Sequence, residues 1–251
     1  MRANQGHSRP SRARNWRPLI LAATALLLAL AGTVQPAAAH PVASGRSVTA
    51  PAAAHTVSFD GYSFLIDNQR TYIWSGEFHY FRLPSPDLWL DIFQKMKAAG
   101  FNAASIYFDW GYHSPAPGVY DFTGVRDVDK LLDLAQQAGI YVIARPAPYI
   151  NAEVDGGGLP GWMSTTAGAN RSADPQFLKY SDEWMTQIDR ILARHQLTNG
   201  TGPVIAYQVE NEYYNGSAAG NAYMKHLEDK ARADGITVPL TGNNNGTFNT
   251  G

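Results

Sequence analysis

The sequence predicts an α/β fold, a (β/α)8 TIM barrel truncated after about the fifth strand, and three observations carry that reading. First, a grammar repeats in which a helix ends in glycine and an apolar strand follows at once. Ala98-Ala99-Gly100 leads into Phe101 to Phe108, Gln137-Ala138-Gly139 into Ile140 to Ala144, and Ala233-Asp234-Gly235 into Ile236 to Leu240. A glycine takes the left-handed position past a helix at little steric cost, so the strand begins without a long loop. Second, polar and aromatic residues gather after successive strands: Glu77, His79 and Tyr80; Tyr107, Asp109 and Trp110; Tyr149, Asn151 and Glu153; Asn211, Glu212 and Tyr213. A site built from the carboxyl ends of several strands is how a barrel works. Third, the rival architecture for alternating βα units, a doubly wound nucleotide-binding sheet, usually shows a glycine-rich phosphate loop after its first strand. Ser75-Gly76-Glu77 is not one, and no Gly-Lys-Ser/Thr occurs.

Before the barrel, residues 1–39 read as a signal peptide. Arg2, Arg9, Arg12, Arg14 and Arg17 stand without an acid, an apolar run spans Leu19 to Ala31, and Ala37-Ala38-Ala39 offers a small-residue cleavage site. The run is shorter than the roughly 20 residues of a membrane span, so secretion with no membrane span after cleavage is expected. Removal of the leader leaves 15 basic against 21 acidic side chains, a net charge of −6 with no basic surface to attract nucleic acid. With no cysteine, an exported chain holds together by core burial rather than disulfides. Residues 40–56, rich in Ala, Pro, Ser and Val, read as a flexible linker, and 57–251 as the amino-terminal part of the barrel domain.

Taken in order, Val57 to Ile66 with Asp60-Gly61 between suits two short strands and a tight turn. Thr71 to Glu77 reads as the next strand. Ser85 then caps a helix with Pro86 at its first position, and Trp89, Ile92, Phe93 and Met96 fall at helical spacing up to Gly100. After the strands at 101–108 and 140–144, a helix with Phe177, Trp184, Ile188, Ile191 and Leu192 on its apolar stripe precedes Val204 to Glu210, a buried parallel strand. The strand at 236–240 makes the fifth.

The segment Val204-Ile205-Ala206-Tyr207-Gln208-Val209 ends in Glu210-Asn211-Glu212. Acids are costly to bury unpaired, so such an ending points to proton handling or hydroxyl binding. Strand alternation puts Glu210 and Glu212 on one face, about 6.6 Å apart, and Asn211 on the other. Glu212, further out, is better placed to reach a ligand, and Glu210 would need a base or hydroxyl as partner. Sequence logic alone does not choose between them. Asn151-Ala152-Glu153 lies in a Pro- and Gly-rich segment, a shaped loop of the kind that carries function on a rigid scaffold. Carboxylates, amides and rings such as Tyr107 are what a sugar site is made of.

The combination of Ser75-Gly76-Glu77-Phe78-His79-Tyr80-Phe81-Arg82, Lys95 to Asn102, Arg145-Pro146-Ala147-Pro148-Tyr149-Ile150-Asn151-Ala152-Glu153, Gly158-Leu159-Pro160-Gly161-Trp162 and Gln208 to Tyr213 resembles the β-galactosidases of glycoside hydrolase family 35, the large secreted multidomain members above all. The resemblance implies a retaining exo-glycosidase that removes terminal non-reducing β-D-galactose from an oligosaccharide or polysaccharide, with no cofactor and no metal. It implies Glu212 as general acid/base, Asn211 as the adjoining amide on the sugar, and Tyr107, Asn151, Ala152 and Glu153 as lining of the galactose pocket. The family's nucleophile is a second glutamate on a later strand, expected beyond Gly251, and retaining chemistry needs both. A non-catalytic galactoside-binding protein, a truncated inactive fragment, or another exo-glycosidase on the same scaffold are the alternatives. A five-unit sheet leaves two strand edges unpaired, so the chain alone is expected to be insoluble or molten.

Overall fold

The computed structural model describes residues 54–166, 168–200 and 202–243. The expected signal peptide, and the linker as far as residue 53, lie outside the described residues.

Three short strands come first, β1 (Val57–Phe59), β2 (Phe64–Ile66) and β3 (Gln69–Thr71), paired antiparallel in the order β1-β2-β3. Asp60 closes the first turn by accepting from the backbone of Tyr62 at 2.9 Å and Ser63 at 3.1 Å. Asp67 and Asn68 take φ of 50° and 61° in the second, the left-handed pair that a two-residue hairpin favours.

The second sheet has five parallel strands in sequential order: β4 (Ser75–Glu77), β5 (Ala103–Tyr107), β6 (Tyr141–Arg145), β7 (Val204–Gln208) and β8 (Leu240–Thr241). A doubly wound sheet reverses its strand order at a switch point, whereas a barrel advances one strand at a time, so this is the wall of a TIM barrel. Helices α1 (Trp89–Ala98), α3 (Val128–Gln137), α4 (Pro175–Arg194) and α5 (Ala218–Ala233) make the successive crossovers, and a single turn, α2 (Trp110–His113), follows β5.

The predicted signals account for these elements. Ser85 accepts from the Asp87 amide at 3.2 Å and starts a 3-10 turn over Pro86–Leu88 that runs into α1. Gly100, Gly139 and Gly235 take φ of 95°, 68° and 95° past their helices. The stripe of Phe177, Trp184, Ile188, Ile191 and Leu192 is buried, as is every residue of β7. Among the described residues no helix is long and apolar enough to cross a membrane.

Two strand assignments differ from expectation. Thr71 to Glu77 is not one strand: Asn102 donates to the Tyr72 carbonyl at 2.6 Å and accepts from the Trp74 amide at 2.8 Å, so a side chain takes up the backbone groups of the segment that links β3 to β4. Nor does 236–240 pair as a strand. There the Gln196 side chain accepts from the amides of Thr237 (2.6 Å) and Val238 (3.0 Å), Arg232 donates to the Ile236 and Val238 carbonyls (both 2.8 Å), and contact with β7 begins at the Pro239 carbonyl, with Leu240–Thr241 paired.

Candidate active site

The carboxyl ends of β4 to β7 deliver the polar residues, and Asn211 is their meeting point. Its side-chain oxygen accepts from the Tyr107 hydroxyl at 3.0 Å, Arg145 Nη2 at 3.0 Å, Asn243 Nδ2 at 2.9 Å and, at 3.4 Å, Gln208 Nε2. An amide oxygen has two lone pairs, so these donors saturate it and leave the amide nitrogen for a ligand.

Arg145, the last residue of β6, ties this hub to β4. Its Nη1 donates to Glu77 at 2.6 Å, and the guanidinium carbon lies 3.7 Å from the centroid of the Tyr107 ring. Burial pushes the Tyr107 hydroxyl up to about 12, with Arg145 pulling it down and Glu77, Glu212 and Glu153 pushing it up. Tyr107 therefore stays a protonated donor at neutral pH, and it feels all three glutamates. Burial and Arg82 together hold the neighbouring His79 ring below its ordinary value.

Beyond β6 the chain forms the predicted irregular loop. Asn151, Ala152 and Glu153 take φ of 56°, 48° and 48°, three consecutive left-handed residues with side chains. Such backbone is costly, and the surroundings must hold it. Arg82 donates to the Ala152 carbonyl and, at 3.3 Å, to that of Glu153. Ala152 packs with Tyr107, Ala147 and Ile150 in one buried cluster, while Asn151 and Glu153 are exposed.

The two glutamates after β7 do not share a face, contrary to strand alternation. The strand ends at Gln208, whose side chain turns to the Glu210 carbonyl at 2.9 Å, and Glu212 takes a left-handed φ of 48°, so the period of two no longer holds. Glu210 is fully buried and meets both kinds of partner it needed: Arg171 at 3.0 and 2.9 Å and the Tyr223 hydroxyl at 3.0 Å. Burial pushes its carboxyl up, and Arg171, Tyr223 and the Asn211 amide pull it back. Glu212 is exposed, its backbone amide held by Asn243 Oδ1 at 2.8 Å. Of the two acids, only Glu212 is open to exchange a proton with a ligand.

Other strand-end residues serve the scaffold. Asp109 caps α2 through the Tyr112 amide at 3.1 Å, and Trp110 is buried in a stack on Trp184 with centroids 6.3 Å apart. Sequence reasoning missed Arg171 and Asn243 as members of the network, and it met Arg82, Arg145 and Gln208 only inside motifs. A cleft of about 260 Å³ lies at the opposite, amino-terminal ends of the strands, lined by His55, Lys97, Gly139, Tyr141 and Pro203. Among the described residues no cluster of three or more His, Cys, Asp or Glu is placed to hold a metal ion.

Residues 63–250 match the family described as Glycosyl hydrolases family 35. A protein named "Beta-galactosidase" from Aspergillus niger is 46% identical over 191 residues, 74% of this chain and 19% of that protein. A second from the same species, named "Probable beta-galactosidase C", is 47% identical over 196 residues, 76% of this chain and 20% of its own length. The chain thus spans about a fifth of the length of these curated relatives. Among solved structures, an exo-β-1,4-mannosidase from an Opitutaceae bacterium aligns with a TM-score of 0.57 at 17% identity, over 68% of this chain and 31% of that one. A GH5_18 protein from Streptomyces cattleya aligns at 0.50 and 16%, over 68% and 44%. At those identities the likeness is one of fold.

Proposed function

The chain belongs to glycosyl hydrolase family 35, and from that premise we propose that the full-length protein is a secreted retaining β-galactosidase that removes terminal β-linked galactose from an oligosaccharide or polysaccharide. The observation that carries the proposal is the division of labour between two neighbouring acids: Glu210 is buried against Arg171 and Tyr223, and Glu212 is exposed beside an oriented amide.

In this reading Glu212 protonates the glycosidic oxygen as the bond breaks, then takes a proton from the water that attacks the glycosyl-enzyme intermediate. Asn211 donates from its free amide nitrogen to a sugar hydroxyl. Tyr107, Asn151, Ala152 and Glu153 line the pocket for the galactose ring. A retaining reaction needs a second carboxylate about 5–5.5 Å from the first to attack the anomeric carbon. We assign that role to a glutamate on a later strand of the full-length protein, in keeping with the fifth of the relatives' length that this chain spans. Residues 1–39 act as the signal peptide, and 57–251 form the first part of the catalytic barrel.

Replacement of Glu212 by Gln in the full-length protein tests the assignment. Hydrolysis of lactose, whose leaving group needs protonation, is expected to fall at least about 100-fold, the low end of what general acid catalysis supplies. Undiminished turnover would remove Glu212 from the mechanism. Galactose binding by the wild-type protein without cleavage of an activated aryl galactoside would favour a non-catalytic binding protein instead.

A further inference from the structure

Arg171 lies on the loop between β6 and α4, far in sequence from the turn after β7, yet three of its contacts end there, two on Glu210 and one on Asn211. Nε donates to Glu210 Oε1 at 3.0 Å, and Nη2 donates to Glu210 Oε2 at 2.9 Å and to the Asn211 carbonyl at 2.6 Å. The guanidinium lies over the Tyr149 ring at 3.9 Å and beside Tyr213 at 5.4 Å, so aromatic rings fix its plane. Its own backbone is left-handed, with φ of 54°, a conformation a side-chain-bearing residue holds only when its surroundings demand it.

We propose that Arg171 is a positioning residue for the proton donor, acting through Glu210 and the Asn211 carbonyl to hold the turn that presents Glu212. The inference rests on the reading of Glu212 as general acid/base. Once β7 has ended, the Val209 amide still reaches the Thr241 carbonyl at 3.3 Å, but the backbone of 210–212 has no ladder to set its course. Four side-chain anchors replace it: the Asn211 amide on Glu210, the Asn211 carbonyl on Arg171, the Glu212 amide on Asn243 and the Glu210 carbonyl on Gln208. Arg171 supplies the second directly. It also sustains the first, because a fully buried carboxylate keeps its place only while it is paired. Tyr223 holds the same carboxylate from α5, so Arg171 and Tyr223 grip Glu210 from two elements. Loss of the guanidinium frees the turn, and a displacement of about 1 Å in a catalytic group can cost on the order of 100-fold.

The test separates mispositioning of an acid from general damage. A dinitrophenyl galactoside departs without a proton, whereas an alkyl galactoside does not, and kcat/KM reports the step in which that difference acts. Full-length wild type, Glu212→Gln, Arg171→Met and Arg171→Lys are compared on both substrates, below each protein's thermal midpoint. Arg171→Met is expected to lose at least about tenfold more kcat/KM on the alkyl than on the dinitrophenyl substrate. Arg171→Lys, which keeps the charge but not the fork, falls in between. Equal losses on both substrates in the Arg171 variants, with Glu212→Gln still selective, overturn the role of Arg171 and leave Glu212 standing. If Glu212→Gln shows no selectivity, the assignment of Glu212 fails and this inference with it. If Arg171→Met does not fold, Arg171→Lys decides. If neither folds, Arg171 is a determinant of folding and the proposal is overturned.

Discussion

Arg145 Nη2 donates to Asn211 Oδ1 at 3.0 Å, and that bond settles which way the amide faces. A guanidinium only donates, so the atom turned toward it must be the oxygen. Asn211→Asp keeps an acceptor for Arg145 and deletes the amide donor proposed to meet a sugar hydroxyl. The expected outcome on a β-galactoside is a fall in kcat/KM of about 10- to 100-fold, the worth of a hydrogen bond that strengthens with charge, with little change in thermal midpoint. Steady-state kinetics on the full-length protein check it, and an unchanged kcat/KM would mean that the amide nitrogen touches no substrate.

Gly157 makes the loop after β6 possible. Its φ is +62°, and a Cβ there would stand 2.0 Å from Tyr149 Cε2, on the ring that Arg171 covers. Gly156 has nearly the same φ, +63°, but its nearest such neighbour is 3.9 Å away. Gly156→Ala should therefore cost only the left-handed penalty, about 1 kcal/mol. Gly157→Ala adds a clash with a packed ring, about 1–3 kcal/mol more. Thermal unfolding of the two variants side by side measures the contact, and equal midpoints would deny it.

These residues also show how far the chain is readable by itself. The barrel order was legible because helix-ending glycines and the stripe on α4 are local signals, set by backbone conformation and by which face meets the core. The cluster Glu210-Asn211-Glu212 was legible as a candidate site because acids and amides ending an apolar strand contradict core burial, while the singling out of Glu212 and Asn211 came from the family resemblance. Arg145 carried the same signal at the end of β6. Arg171 did not: it lies among small polar residues that read only as loop, and its partner Glu210 is 39 positions away. The split of Thr71 to Glu77 and the shortening of 236–240 were hidden for a related reason. In both places a side chain, Asn102 or Gln196, stands in for backbone pairing, and residue patterns along a strand carry no trace of a competitor elsewhere in the chain.

His113 provides a pH-dependent test of the scaffold behind the site. It is fully buried, stacked 4.6 Å from Phe122 and 5.8 Å from Trp184, with Nδ1 bonded to the Asp121 carbonyl at 2.8 Å and Nε2 to the Tyr80 hydroxyl. A carbonyl only accepts, so Nδ1 carries the proton and Nε2 accepts from Tyr80, which is the neutral ring. Burial pushes its pKa down from 6.5 to about 4. The unfolded chain thus takes up a proton at a higher pH than the folded one does, and the stabilisation is complete above 6.5 and lost as the pH falls toward 4. Over that window the loss amounts to about 3 kcal/mol. His113→Gln, which cannot be charged, is expected to be less stable than wild type at pH 7 and to show a flatter decline of thermal midpoint between pH 6.5 and 4. Parallel slopes for the two proteins would mean that the folded ring accepts its proton at the ordinary pH.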